Sequence, residues 1–240
     1  MKGVILCGGT GTRLSPLTNV TNKHLLPVFN KPMIYYPLQT LIDAGIKDIL
    51  IVTGGENVGD FLKLLGSGKN WGVRFTYRCQ DGSGGIPVAL YLAKEFIDGE
   101  KFVCILGDNI MEQSIKKDVD DFVKSKRGAK ILLQKVDDPQ RFGLAKIKDN
   151  KLTATYEKPS KPITDLAILG LYMFDGKVFD IIPKLKPSKR GELEITEVID
   201  YYIKNDDIDY SVIDGFWIDA GTFDSLHNAT LFIADKEKKK

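Results

Sequence analysis

MKGVILCGGTGTRLSP, residues 1–16, places a short apolar run (Val4 to Cys7) directly before a loop of small residues, Gly8-Gly9-Thr10-Gly11-Thr12-Arg13. A strand that runs into a glycine-rich turn presents backbone N–H groups to an anion, most often a phosphate. Two familiar loops of this kind do not fit. The dinucleotide fingerprint G-x-G-x-x-G would put Leu14 at its third glycine, where helix and strand must pack without a side chain. The Walker pattern ends in Gly-Lys-Ser/Thr, a tripeptide the chain does not contain. What remains is an anion-binding turn followed at once by Arg13 and, farther on, by Lys23. Read alone, it is also an ordinary strand–helix connection with a surface arginine.

Working outward, β-rich runs alternate with helical patterns. Strands are expected at Val4–Cys7, Ile49–Val52, Val73–Tyr77, Phe102–Leu106 and Lys130–Gln134. Helices are expected at Pro32–Ala44, Val58–Leu65, Pro87–Phe96 and Ser114–Lys126. Alternation with near-continuous apolar strands argues a mostly parallel sheet with helices on both faces, a Rossmann-like α/β fold. Beyond about residue 135 the pattern changes. FGLAKIKDNKLTATYEKP reads as a hairpin turning at Asp149-Asn150. It is followed by strands at Ile168–Phe174 and Tyr210–Ile213 and helices at Glu197–Lys204 and Thr222–Asp235. One domain over 1–240 is expected, with an alternating strand–helix half (about 1–135) and a β-rich annex (about 136–240). Ligands of such sheets lie at the C-terminal strand ends. The Gly8 loop, TGGEN (53–57), QDGSGG (80–85) and GDN (107–109) all fall there.

The balance of 34 basic and 32 acidic residues gives nothing that suits a long polyanion, so nucleic acid is not an expected partner. No apolar run approaches the roughly 20 residues of a membrane span, and Val4–Cys7 is too short for a signal peptide. Cys7, Cys79 and Cys104 are odd in number, lack metal spacing and sit in or beside apolar runs, which reads as buried thiols in a reducing cytoplasm. The terminal KEKKK reads as a solvated tail.

The chain resembles the sugar-1-phosphate nucleotidylyltransferases. The stretches that carry this are GGTGTRLSPLT, NKHLLPV, KPMIYYPL, LGDN, DDPQRFG, YEKP, GLYMFD, RGELEIT and WIDAGT, which follow in the family's order along nearly the whole chain. KPMIYYPL and RGELEIT favour its thymidylyl branch. The resemblance implies Mg2+-dependent transfer from dTTP to glucose 1-phosphate. The nucleophile there is a phosphate oxygen already carrying charge, so no general base is needed. Cations and in-line positioning supply such catalysis.

By that resemblance Leu6, Gly8, Gly9, Gly11, Thr12 and Arg13 hold the triphosphate. Arg13 steadies the leaving phosphates, and Lys23 reaches the α-phosphate or the sugar phosphate. Asp108 and Asp219 share one Mg2+, a hard cation suited to few carboxylates and several waters. Gln80 and Gly85 hold the base. The Gln80 amide offers both a donor and an acceptor, matching the edge shared by thymine and uracil and opposing that of cytosine. Gly143, Glu157, Lys158 and Ile168 take the sugar phosphate. Pro87, Val88 and Leu166 depart from the family's usual residues near the base and sugar, and Cys7 stands where alanine is usual. The resemblance is to a short form, without the C-terminal helices of an allosteric nucleotide site. It also implies a cytoplasmic homodimer or homotetramer that supplies activated sugars for polysaccharides. UTP, another hexose 1-phosphate, or a non-catalytic nucleotide-sugar sensor are the alternatives the residues leave open.

Overall fold

The computed structural model describes residues 1–239. Its elements, in chain order, are β1 (Lys2–Cys7), β2 (Pro27–Val28), β3 (Lys31–Pro32), α1 (Tyr35–Asp43), β4 (Asp48–Gly54), α2 (Val58–Leu65), β5 (Arg74–Gln80), α3 (Ile86–Tyr91), α4 (Lys94–Ile97), β6 (Phe102–Leu106) and β7 (Asn109–Met111). Then come α5 (Lys116–Lys124), β8 (Ala129–Lys135), β9 (Gly143–Lys148), β10 (Lys151–Glu157), β11 (Leu166–Phe174), α6 (Val178–Ile181), α7 (Ile195–Lys204), β12 (Ile208–Val212), β13 (Trp217–Asp219) and α8 (Phe223–Lys238).

Successive side chains of a strand face opposite ways, and here both faces are apolar. In β1, Val4 and Leu6 enter one core with Leu50 and Val52, while Ile5 and Cys7 enter the other with Ile49 and Ile51. Helices therefore cover both faces, as the near-continuous apolar runs required. β6, β1, β4 and β5 are parallel neighbours. β11 runs antiparallel to β6, β8 antiparallel to β11, and β12 parallel to β8, completing a nine-stranded mixed sheet.

A fork in this sheet makes the room for a site. β11 pairs with β6 only through Leu171–Phe174; nearer its start, Ala167 pairs with Leu144 of β9. The β9–β10 hairpin thus leaves the sheet where β6 ends, forming a wall beside the parallel strand ends. Its turn is as the sequence indicated: Asp149 and Asn150 both have positive φ, 51° and 58°, the conformation a two-residue hairpin turn needs. At the mouth of the fork, β7 and β13 form a separate antiparallel ribbon with Asp219 opposite Asn109.

Several expectations are corrected. Pro32 belongs to β3, and α1 starts only at Tyr35. The expected helix Pro87–Phe96 is two short ones. Cys7 and Cys104 are buried, but Cys79 is exposed, because β5 is an edge strand. Part of the terminal lysine run is no tail: α8 continues to Lys238, with Lys236 3.0 Å from Glu112 and Glu237 3.0 Å from Lys31. No helix among the described residues is long and apolar enough to cross a membrane.

Candidate active site

The loop after β1 turns at Gly11 (φ 68°), so Leu14 can enter the core while Arg13 stays exposed. Lys23 is brought back against this loop; its Nζ would lie 3.7 Å from a Cβ added at Gly9. A brace behind Lys23 holds it there. The Asn22 side chain donates to the Cys7 carbonyl (3.1 Å) and accepts from the His24 backbone N–H (3.0 Å) and ring Nδ1 (2.7 Å). His24 is buried, and burial together with the Lys23 charge pushes its pKa down to about 3, so the ring is neutral. Neutral Nδ1–H is then the donor to Asn22.

Lys23 forms an ion pair with the buried carboxylate of Asp108, which follows β6. Burial opposes both charges, yet each stabilises the other: the Asp108 carboxyl is held well below the carboxylate range and the Lys23 ammonium above its ordinary value. Asp219, half-buried, ends β13 and accepts from the Gly221 N–H at 2.8 Å. Burial first, and the Asp108 charge second, raise its carboxyl pKa. Gly221 marks where the groups converge. A Cβ there would lie 2.7 Å from Asp219 Oδ1, 3.0 Å from Arg13 Nη2 and 3.4 Å from Asp108 Oδ2. The two carboxylate oxygens are therefore within about 6 Å of each other across a space kept open by a glycine. No group of three or more His, Cys, Asp or Glu side chains suited to a metal gathers among the described residues. A cation between Asp108 and Asp219 would thus take most of its ligands from phosphate and water, as Mg2+ does.

The end of the cleft next to β5 is built by two more glycines. Gln80 is buried at the end of β5, and a Cβ at Gly8 would lie 2.2 Å from its Oε1, so the amide rests directly on the loop after β1. Gly85 has φ 90°, and a Cβ there would meet the Leu193 carbonyl at 2.1 Å. Leu193 N–H in turn donates to the Gly84 carbonyl (3.0 Å), docking the RGELEIT segment onto the loop.

On the hairpin side, a Cβ at Gly143 would meet Thr196 Cγ2 at 3.1 Å, Glu157 Oε2 at 3.4 Å and Ile168 Cδ1 at 3.8 Å. Glu157 accepts from Thr196 Oγ1 (3.2 Å) and Arg190 (3.2 Å), and Lys158 Nζ lies 3.7 Å away. Burial raises the Glu157 carboxyl despite these partners.

One cleft of about 300 Å3 is lined by Leu6, Gly8, Gly9, Arg13, Lys23, Gln80, Gly85, Asp108, Glu157 and Lys158. A smaller one of about 90 Å3 is lined by Gly143, Ile168 and Asp219 and shares Glu157 and Lys158 with the first. Gly11 and Thr12 line neither; Gly11 shapes the turn, its carbonyl accepting from Thr18 Oγ1 at 3.0 Å. The TGGEN loop also lies outside both clefts. Arg190, Asn109, Trp217 and Gly221 were not singled out from sequence, although each sits inside a motif quoted above; what distinguishes them is a contact, which a linear pattern does not display.

A nucleotidyl transferase family model matches residues 2–236. A glucose-1-phosphate thymidylyltransferase of Neisseria meningitidis is 40% identical over 97% of this chain and 82% of its own length. The low-salt glycan biosynthesis nucleotidyltransferase Agl11 of Haloferax volcanii is 42% identical over 100% of this chain and 68% of its own length. Among solved structures, a candidate glucose-1-phosphate thymidylyltransferase from Bacillus anthracis, in complex with a sucrose, superposes with a TM-score of 0.93 at 50% identity, covering 97% of this chain and 94% of its own. A UDP-glucose pyrophosphorylase at 23% identity (98% of each chain, TM-score 0.87) shares the fold.

Proposed function

The chain belongs to the nucleotidyl transferase family, and on that premise we propose that it joins dTTP to glucose 1-phosphate, releasing pyrophosphate and forming dTDP-glucose. The observation that carries the reading is the convergence of Arg13, Lys23, Asp108 and Asp219 on the space before Gly221, beside a buried Gln80.

In this reading an oxygen of the sugar phosphate attacks the α-phosphorus of dTTP, and the bond from that phosphorus to the β-phosphate bridging oxygen breaks. The attacking oxygen is anionic, so no residue has to remove a proton. The protein's task is electrostatic: positive groups must offset the charge gathered when one phosphate approaches another. Arg13, exposed in the cleft wall, takes the leaving β- and γ-phosphates in this reading, its guanidinium planar and always charged. Lys23, held by the Asn22–His24 brace, meets the phosphates beside Gly9. When Mg2+ is bound at Asp108 and Asp219, it supplies a Lewis acid for the phosphate oxygens. Gln80 accepts from the pyrimidine N3–H and donates to O4, which favours thymine or uracil over cytosine. Gly143, Glu157 and Ile168 shape the sugar end, with Lys158 near the sugar phosphate.

Asp108→Asn tests the catalytic reading against a sensor that only binds. Pyrophosphate release should fall at least about a hundredfold, with dTTP still bound. Release that continues unchanged would sink the reading.

A further inference from the structure

Asn109 is buried beside Asp108 and lines the smaller cleft. Its amide orientation is fixed from two directions. Oδ1 accepts from the Trp217 indole N–H at 2.8 Å and from the Gly170 backbone N–H at 3.0 Å. With the oxygen so occupied, Nδ2 is the end turned to Asp108, donating to its Oδ1 at 3.1 Å. An amide turned the other way would set two N–H donors against each other and leave Asp108 facing an oxygen. The Asp108 carboxylate is thereby gripped at both oxygens, Oδ1 by Asn109 and Oδ2 by Lys23.

The surrounding backbone is shaped for this amide. A Cβ at Gly170 would lie 2.5–2.7 Å from the Asn109 Nδ2, Cγ and Oδ1 atoms, so only glycine admits it. Gly170 lies where β11 changes register between Ile168 and Tyr172. Asn109 and Asp219 face each other across the β7–β13 ribbon, and the Ala220 N–H donates to the Asp108 carbonyl (2.9 Å). The same ribbon carries Trp217, whose ring packs 5.3 Å from that of Phe142 at the sugar end.

From this geometry we propose that Trp217 and Asn109 form a positioning relay, in which the indole N–H sets the Asn109 amide and the amide presents the Asp108 carboxylate to a divalent cation. The proposal rests on the nucleotidyl-transfer reading and deepens it: two residues that need touch neither phosphate nor metal set the affinity for the cation. Partners that orient a metal ligand typically change affinity or activity by about 10–100-fold when removed.

The experiment is calorimetric titration of dTDP-glucose into wild type, Trp217→Phe, Asn109→Ala and the double variant, each with and without saturating Mg2+. The readout is the factor by which Mg2+ tightens dTDP-glucose; any direct effect on sugar contacts enters both titrations and cancels. The factor should fall about tenfold in Asn109→Ala and severalfold in Trp217→Phe, with the double variant no worse than Asn109→Ala alone. In steady state the same variants should lose kcat with the KM for dTTP little changed. If Asn109→Ala fails to fold, Trp217→Phe, which keeps the ring against Phe142, reads the same factor. A factor equal to wild type in the folded variants, or losses that simply add in the double variant, overturns the relay while leaving the transfer reading intact. Absence of any Mg2+ effect in the wild type overturns the relay together with the cation's role in the transfer.

Discussion

Asp219→Asn should make the metal-free protein more stable while removing its activity. Asp219 Oδ1 and Asp108 Oδ2 lie within about 6 Å, where two unit charges at an effective dielectric near 20 repel by about 3 kcal/mol. Lys23 and Arg13 offset part of this, and the neutral amide still accepts from Gly221 N–H, though more weakly than a carboxylate. A net gain of about 1 kcal/mol remains, worth roughly 2–4 °C in Tm for a chain of this size. The pH dependence fixes the cause. Burial and then Asp108 raise the folded-state pKa of Asp219, so this group's stability is full below the ordinary carboxylate value and is lost as pH rises through the raised one. The variant's advantage should therefore be present at about pH 8 and fade toward about pH 4. Scanning calorimetry in EDTA across that range reads it directly. A variant less stable than wild type at about pH 8, or a gain that does not change with pH, would refute the repulsion argument.

Three further outcomes follow from the same geometry. Arg13→Ala should lower kcat at least about a hundredfold with little change in Tm, because the side chain is exposed and packs no core; paired kinetics and melting check this. Gly8→Ala puts a Cβ 2.2 Å from Gln80 Oε1, so the KM for dTTP should rise about tenfold while the fold persists, since the far end of a glutamine can move. His24 is buried with a pKa of about 3, so it contributes stability that is full above about pH 6.5 and is lost as pH falls from there toward about 3. Stabilities from urea melts between about pH 7 and 4.5 should fall more steeply in wild type than in His24→Gln, the two slopes differing by about one proton.

The parallel half of the fold was legible because its strands are buried on both faces and so read as unbroken apolar runs. The bounds of α2, Val58–Leu65, agree residue for residue, since GSG stops it. The ribbon of β7 and β13 was not legible: three residues per strand cannot show a period, and only their pairing across 108 residues of chain makes them strands. Nor was the break between α3 and α4, where neither Gly nor Pro interrupts the pattern and the chain tightens into a turn, Leu92 N–H donating to the Ala89 carbonyl (3.3 Å) and Ala93 N–H to the Leu90 carbonyl (2.9 Å). In the site, Arg13 and Lys23 stood out because they follow an anion-binding turn, whereas Gln80, Asp108 and Asp219 were reached through the family resemblance. Gly221, Gly170 and Asn109 were not, because their importance is the space or the hydrogen bond they provide to a neighbour far away in sequence.

The central claim is best tested by measuring pyrophosphate release in a matrix of dTTP, UTP and CTP against several hexose 1-phosphates. The account predicts the highest kcat/KM for dTTP with glucose 1-phosphate, and little or no release with CTP, whose edge opposes Gln80. A rate with UTP that matches or exceeds dTTP would contradict the assigned nucleotide, and no release with any pair would contradict the transfer itself.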